Sequence, residues 1–134
     1  MLAKETVAKV FTPGTHGSTF GGNPLAAAAA MAIAKRLTPS FLKGVKKKGA
    51  SLIKKLVALK GNTSQIKAVR GLGLIIAIDI DSPALAIIEK AQQSGLLLSK
   101  TSDVTLRLTP PFTVNDKQID QAVSILAKVL NVKA

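Results

Sequence analysis

QIKAVRGLGLIIAIDID, residues Gln65 to Asp81, is rich in Val and Ile and is interrupted by Gly71-Leu72-Gly73. β-Branched side chains suit a pleated backbone, and glycine accepts the dihedrals of a tight turn. The stretch therefore predicts two short strands joined by a turn that uses Gly71 and Gly73. Further along, LLLSK (Leu96 to Lys100) and VTLRLTP (Val104 to Pro110) predict two more strands about a polar turn at Ser102-Asp103. Strands this short and this closely separated by turns pair antiparallel, so the expected class is α+β, a short, mainly antiparallel sheet with helices packed on it.

The helices announce themselves by their ends. Asn23-Pro24 places an N-cap and a first-turn proline before LAAAAAMAIAKRL, and Thr38-Pro39 stops it. A lysine-rich helix follows over roughly 40–60 and closes at Gly61-Asn62. Ser82-Pro83 opens ALAIIEKAQQS, which ends at Gly95. Asn115 and Gln118 have the spacing of a capping box, ahead of Ile119, Ala122, Val123, Leu126, Val129 and Leu130 at helical intervals. The opening Met1 to Phe11 reads as a strand end and one helical turn, and TPGTHGSTFGGNP after it has no hydrophobic period and must be a loop.

Composition narrows the class of protein. A chain of 134 residues, 47% hydrophobic, has room for one domain and is too apolar for disorder. No apolar run approaches the roughly 20 residues of a membrane span, cysteine is absent, and no leader pattern is present, so a cytoplasmic protein without a membrane or metal site is expected. The net charge of +12 raises the question of a polyanion. Seven lysines fall between Lys43 and Lys60, yet Phe41, Val45, Leu52, Leu56 and Leu59 form one helical stripe that leaves Lys43, Lys47 and Lys54 on a solvated face. With four Phe and no Tyr or Trp to stack on bases, nucleic-acid binding is disfavoured and stands as the alternative, beside a remnant that merely folds.

Two places carry chemistry. In THGSTFGGN, Thr15 to Asn23, glycines flank the hydroxyls of Ser18 and Thr19, a combination that can cradle a phosphate oxyanion, although neither a nucleotide P-loop nor a dinucleotide fingerprint is present. His16 has no second His to work with and is read as a loop hydrogen-bonder. Arg107 stands among apolar neighbours in VTLRLTP, where a guanidinium calls for an anionic partner, or else simply faces solvent at an alternate strand position. Arg70, in VRGLG, is read as structural.

The string HGSTFGGNPLAAAAAMA closely resembles the segment entering the small domain of class III pyridoxal-phosphate-dependent aminotransferases, above all the acetylornithine and ornithine enzymes. AVRGLGLIIAIDI and VTLRLTPPFTVNDKQIDQAV resemble that family's strand pair and its final strand and helix, in the family's order. The resemblance implies the small C-terminal domain of a fold-type I aminotransferase, preceded by a long linking helix. Residues 1–22 would be a remnant of the large cofactor domain, and 23–134 the linking helix and small domain. It implies that Ser18 and Thr19 contact the pyridoxal phosphate of the partner subunit in a homodimer, and that Arg107, the arginine of R-x-x-P-P, holds a substrate carboxylate. The amino group of N-acetylornithine or a related ω-amine would pass to 2-oxoglutarate, within arginine or lysine biosynthesis. None of the 16 lysines matches the family's Schiff-base lysine, which with the acid on the pyridine nitrogen lies upstream of the position resembling Met1. No residue here is therefore assigned as catalytic, and the isolated chain is expected to be inactive.

Overall fold

The computed structural model describes residues 3–131. Two compact units make up the chain, Met1–Thr38 and Pro39–Ala134. In this chain the units part at Thr38-Pro39, where the proline ring forces the preceding residue off the helical path.

In the N-terminal unit a single turn, α1 (Glu5–Ala8), precedes the glycine-rich loop and α2 (Pro24–Ala34); no strand forms among residues 3–11. Helix α2 starts as its sequence dictates: Pro24 occupies the first turn, and the Ala26 amide donates to Asn23 Oδ1 at 3.1 Å. Its regular part ends at Ala34, and tighter bonds from Arg36 N–H to Ile33 O and from Leu37 N–H to Ala34 O continue it. No residue of α2 is buried.

The C-terminal unit runs α3 (Pro39–Gly61), β1 (Ile66–Leu72), β2 (Ile75–Ile80), α4 (Ala84–Gln93), β3 (Ser99–Ser102), β4 (Thr105–Leu108) and α5 (Asp116–Val129). Its four strands form one sheet in the order β1-β2-β4-β3, antiparallel at every pairing; α3 and α4 pack against it, and α5 packs against both of those helices. This is the α+β architecture expected from the sequence. Ile76, Ile78 and Ile80 of β2 and Leu106 and Leu108 of β4 are buried, meeting Leu52 and Leu56 from α3, Ile87 from α4, and Ile119 and Leu126 from α5. Ala77 and Arg107, at the intervening positions, belong to the other face of the sheet.

The structure corrects two details of the strand reading. Gly71 is not a turn residue: it lies in β1 opposite Ile76, and the turn is Gly73-Leu74, with Gly73 at φ +58°. Glycine is needed at 71 for another reason, since a Cβ there would lie 2.4 Å from the Ile75 carbonyl oxygen. Likewise Leu96 to Leu98 do not join β3. The Leu96 amide is spent on Ala91 O at 2.8 Å, closing α4 over Gly95 at φ +84°, and Leu96 and Leu98 pack against the core instead.

Elsewhere the chain ends of the helices are closed as the physics requires. The Asn115/Gln118 box is present in both directions at 2.9 and 3.0 Å. Helix α4 has no side-chain cap, and the β3–β4 turn supplies one, the Ala84 amide donating to Asp103 O at 2.8 Å.

Helix α3 approaches the β1–β2 turn so closely that the contact admits only hydrogen at Gly49: a Cβ would stand 2.0 Å from Gly73 O. Gly44, five residues earlier in the same helix, has nothing within 4 Å of the corresponding point. Gly49→Ala is therefore expected to destabilise the chain by about 1–3 kcal/mol through backbone displacement, despite alanine's helix propensity. Gly44→Ala should stabilise it by about 0.5–1 kcal/mol. Urea unfolding of the two variants checks the pair, and equal effects would show that α3 does not touch the turn.

Candidate functional site

The loop between α1 and α2 is held at its two ends. Thr15 Oγ1 donates to Thr12 O at 2.8 Å and accepts from the Thr12 amide at 3.0 Å, while Asn23 is committed to capping α2. Gly14 and Gly22 take φ of +85° and +76°. Between them Ser18 and Thr19 are exposed, and among the described residues their hydroxyls have no hydrogen-bond partner. Space surrounds the missing Cβ of Gly17 on every side to 4 Å. Two unspent hydroxyls beside uncovered backbone can donate to an anion such as a phosphate group. His16 lies edge-on to Phe11, ring centroids 5.9 Å apart.

Arg107 belongs to the other unit. Register places Arg70 opposite Ala77, Ala77 opposite Arg107, and Arg107 opposite Ser99, a row running across all four strands. The two arginines in this row differ in their partners. Arg70 Nη1 is paired with Asp79, whose other oxygen accepts from Thr105 Oγ1 at 2.8 Å. The Thr105 hydroxyl first, and then Arg70, hold the Asp79 carboxyl below the ordinary carboxylate range against partial desolvation. Arg107 has no acidic partner among the described residues; only its Nε is engaged, donating to Ser99 Oγ at 3.1 Å. Arg107 is also among the residues that line a pocket of about 550 Å³, together with Leu52, Leu96, Leu98, Val114 and Ile119 and with Ser99, Thr109 and Gln118 as further polar members. An apolar pocket with a cation and a few polar groups suits an organic carboxylate. Ser99 escaped the sequence reading because only the strand register reveals it.

A second cleft, of about 640 Å³, brings Lys47, Lys48 and Lys55 together near Asn115 and Asp116. Lys55 is paired with Asp120, and Lys48 Nζ donates to Phe112 O at 2.8 Å. The protein itself thus engages two of the cleft's three ammonium groups. Lys43, Lys47 and Lys54 are exposed on α3, while Val45, Leu52, Leu56 and Leu59 turn to the core and Phe41 lies edge-on to Phe112. No single helix is long and apolar enough to cross a membrane among the described residues.

The sequence model of the family described as aminotransferase class-III matches residues 1–130. An acetylornithine aminotransferase of Myxococcus xanthus is 43% identical over 123 residues, 90% of this chain and 31% of that protein. An ornithine aminotransferase of Bordetella pertussis is 40% identical over 134 residues, 97% of this chain and 32% of its own length. Among solved structures, an ornithine δ-aminotransferase of Plasmodium falciparum superposes with a TM-score of 0.78 at 34% identity, covering 97% of this chain and 35% of that one. The chain spans about a third of the length of the curated relatives it matches.

The Asp79 network predicts a pH signature that needs no substrate. A carboxyl whose folded pKa is lowered adds stability that is complete above its ordinary pKa and is lost as pH falls through the lowered value. Asp103, lowered by its hydrogen bond and charge interaction with Lys100, adds to the same trend. Urea midpoints measured from pH 7 to pH 2 should therefore fall below about pH 4. Asp79→Asn should lower the neutral plateau and make the acid decline shallower. An unchanged acid slope in that variant would remove Asp79 as its source.

Proposed function

The chain belongs to the aminotransferase class-III family, and we propose that it is the segment of such an enzyme that receives a substrate carboxylate and the phosphate of pyridoxal 5'-phosphate. The intact enzyme, in this reading, is a cytoplasmic homodimer that moves the amino group of N-acetylornithine or a related ω-amine to 2-oxoglutarate, a step in arginine or lysine biosynthesis. Acetylornithine and ornithine enzymes among the relatives support that choice of donor.

One observation carries the proposal: Arg107 lines an apolar pocket and has no acidic partner among the described residues, whereas Arg70 in the same cross-strand row is already paired. A guanidinium with free terminal nitrogens matches the two oxygens of a carboxylate. The apolar wall beside it covers the carbon chain and keeps water off the ion pair. The loop would suit the cofactor's phosphate: Ser18 and Thr19 offer hydroxyl donors without competing partners among the described residues, and the uncovered backbone at Gly17 lets a bulky anion approach. When bound, pyridoxal phosphate supplies the electron sink that lets an amino group leave one carbon skeleton and join another. This chain's share is binding and orientation. No lysine of the 16 is assigned to the chemical step, so the isolated chain should catalyse no amino transfer. The alternative, a polyanion-binding module, rests on the charge of +12 alone.

The test is a chimera in which residues 1–130 replace the matching segment of the Myxococcus xanthus enzyme. There Thr19→Ala should weaken cofactor binding about ten- to a hundredfold, the loss of one hydrogen bond to a charged group. Arg107→Lys keeps the charge but not the fork, and should raise KM for 2-oxoglutarate or the amino donor while the melting temperature stays put. A stability loss with unaltered KM would make Arg107 a purely structural residue. Unchanged cofactor affinity in Thr19→Ala would reject the loop assignment.

A further inference from the structure

We propose that Ser99 is the positioning residue of Arg107: by accepting the Nε–H it turns the guanidinium so that a carboxylate is received end-on, by the two terminal nitrogens Nη1 and Nη2. The proposal rests on the carboxylate reading of Arg107 and adds to it a direction of approach.

Strand register is what brings the two together. Outward from the turn, Ser102 stands opposite Thr105, and a regular antiparallel ladder would continue with Lys100 opposite Arg107. A bulge between Lys100 and Ser102 shifts the pairing by one residue, so that Ser99 faces Arg107 and Lys100 faces Leu106. One irregularity thus replaces a cation with a hydroxyl acceptor beside the guanidinium, and removes a like-charge pair that would oppose the sheet. Lys100 is turned instead to Asp103.

The chemistry then follows from the shape of the guanidinium. Arginine can present a carboxylate with either of two parallel N–H pairs, one that includes Nε and one made of the terminal nitrogens. Ser99 Oγ, 3.1 Å from Nε, occupies the first. On the other flank stands Ala77, too short to reach across and hydrogen-bond the guanidinium. What remains for a ligand is the end of the fork. A side chain already turned to its binding orientation also loses less freedom when the ligand arrives, which is affinity gained by preorganisation.

The test uses the whole chain with 15N-labelled arginine and glutarate, an unreactive five-carbon dicarboxylate, as the probe. Arg107→Lys identifies the Arg107 side-chain signals by their disappearance. On adding glutarate, the terminal nitrogens of Arg107 should shift while Nε–Hε stays in place. Ser99→Ala should release Nε, so that Hε exchanges faster and now responds to glutarate, with the dissociation constant about three- to tenfold weaker. Ser99→Thr, which keeps the hydroxyl, should restore both behaviours. An Hε that moves with the terminal nitrogens in the unsubstituted chain overturns the role of Ser99 and leaves the carboxylate reading intact. That measurement is made on the unsubstituted chain and requires no Ser99 variant, and equal glutarate affinity in Ser99→Ala counts the same way. If no Arg107 nitrogen responds to glutarate, the carboxylate reading itself falls, and the role of Ser99 with it.

Discussion

The antiparallel pairing of β2 with β4 is the constraint from which both the core and the candidate carboxylate site follow. Period-two alternation forces a choice at each position. With Ile76, Ile78, Leu106 and Leu108 committed to the core, Ala77 and Arg107 must stand on the opposite face, together with Asp79 and Thr105. A slip of β4 by one residue would turn Arg107 and Thr105 into the core and expose Leu106 and Leu108. At about 1.5–3 kcal/mol for each such side chain, the burial of the core holds the site in register far more firmly than any contact within the site could.

The helices enforce the same arrangement from the core side. Helix α3 lies against the β1–β2 turn at a point where both partners are glycine, Gly49 and Gly73, so helix and turn meet backbone to backbone. That closeness is what lets Leu52 and Leu56, one and two turns further along, reach the strands. Backbone contact leaves little room for the turn to move, and the turn sets where β2 begins. Packing at one edge of the unit thereby supports the register at Arg107.

Most of the architecture was legible because its signals are local. Asn23-Pro24 and the Asn115/Gln118 pair act within one turn of their own helix, and the stripe from Val45 to Leu59 needs only helical periodicity. The misreadings lay where a residue's role depends on a distant partner. Gly71 looked like a turn residue and proved to be a strand position too close to Ile75 O for any side chain. Leu96 to Leu98 looked like a strand and are spent on closing α4 and filling the core. Ser99 and Gly49 carried no sequence signal, since one acquires its role from a bulge and the other from a helix crossing a turn. Arg107 was singled out by its apolar neighbours and by resemblance; its lack of an acidic partner among the described residues could be seen only in the folded chain.

The two candidate sites differ in what holds them. Arg107 stands on a sheet whose opposite face is a buried core, so its backbone is fixed before any ligand arrives. Ser18 and Thr19 have no such support. Helix α2, which follows their loop, has 11 residues and not one of them buried, and Phe20 and Leu25 are 78% and 80% exposed. A helix that short is marginal in water on propensity alone, even when rich in alanine, and one apolar on all sides gains stability only from packing. Among the described residues of the N-terminal unit that packing energy is missing. Preorganisation of the hydroxyl pair is therefore not built into the N-terminal unit, whereas the geometry at Arg107 is present in the C-terminal unit.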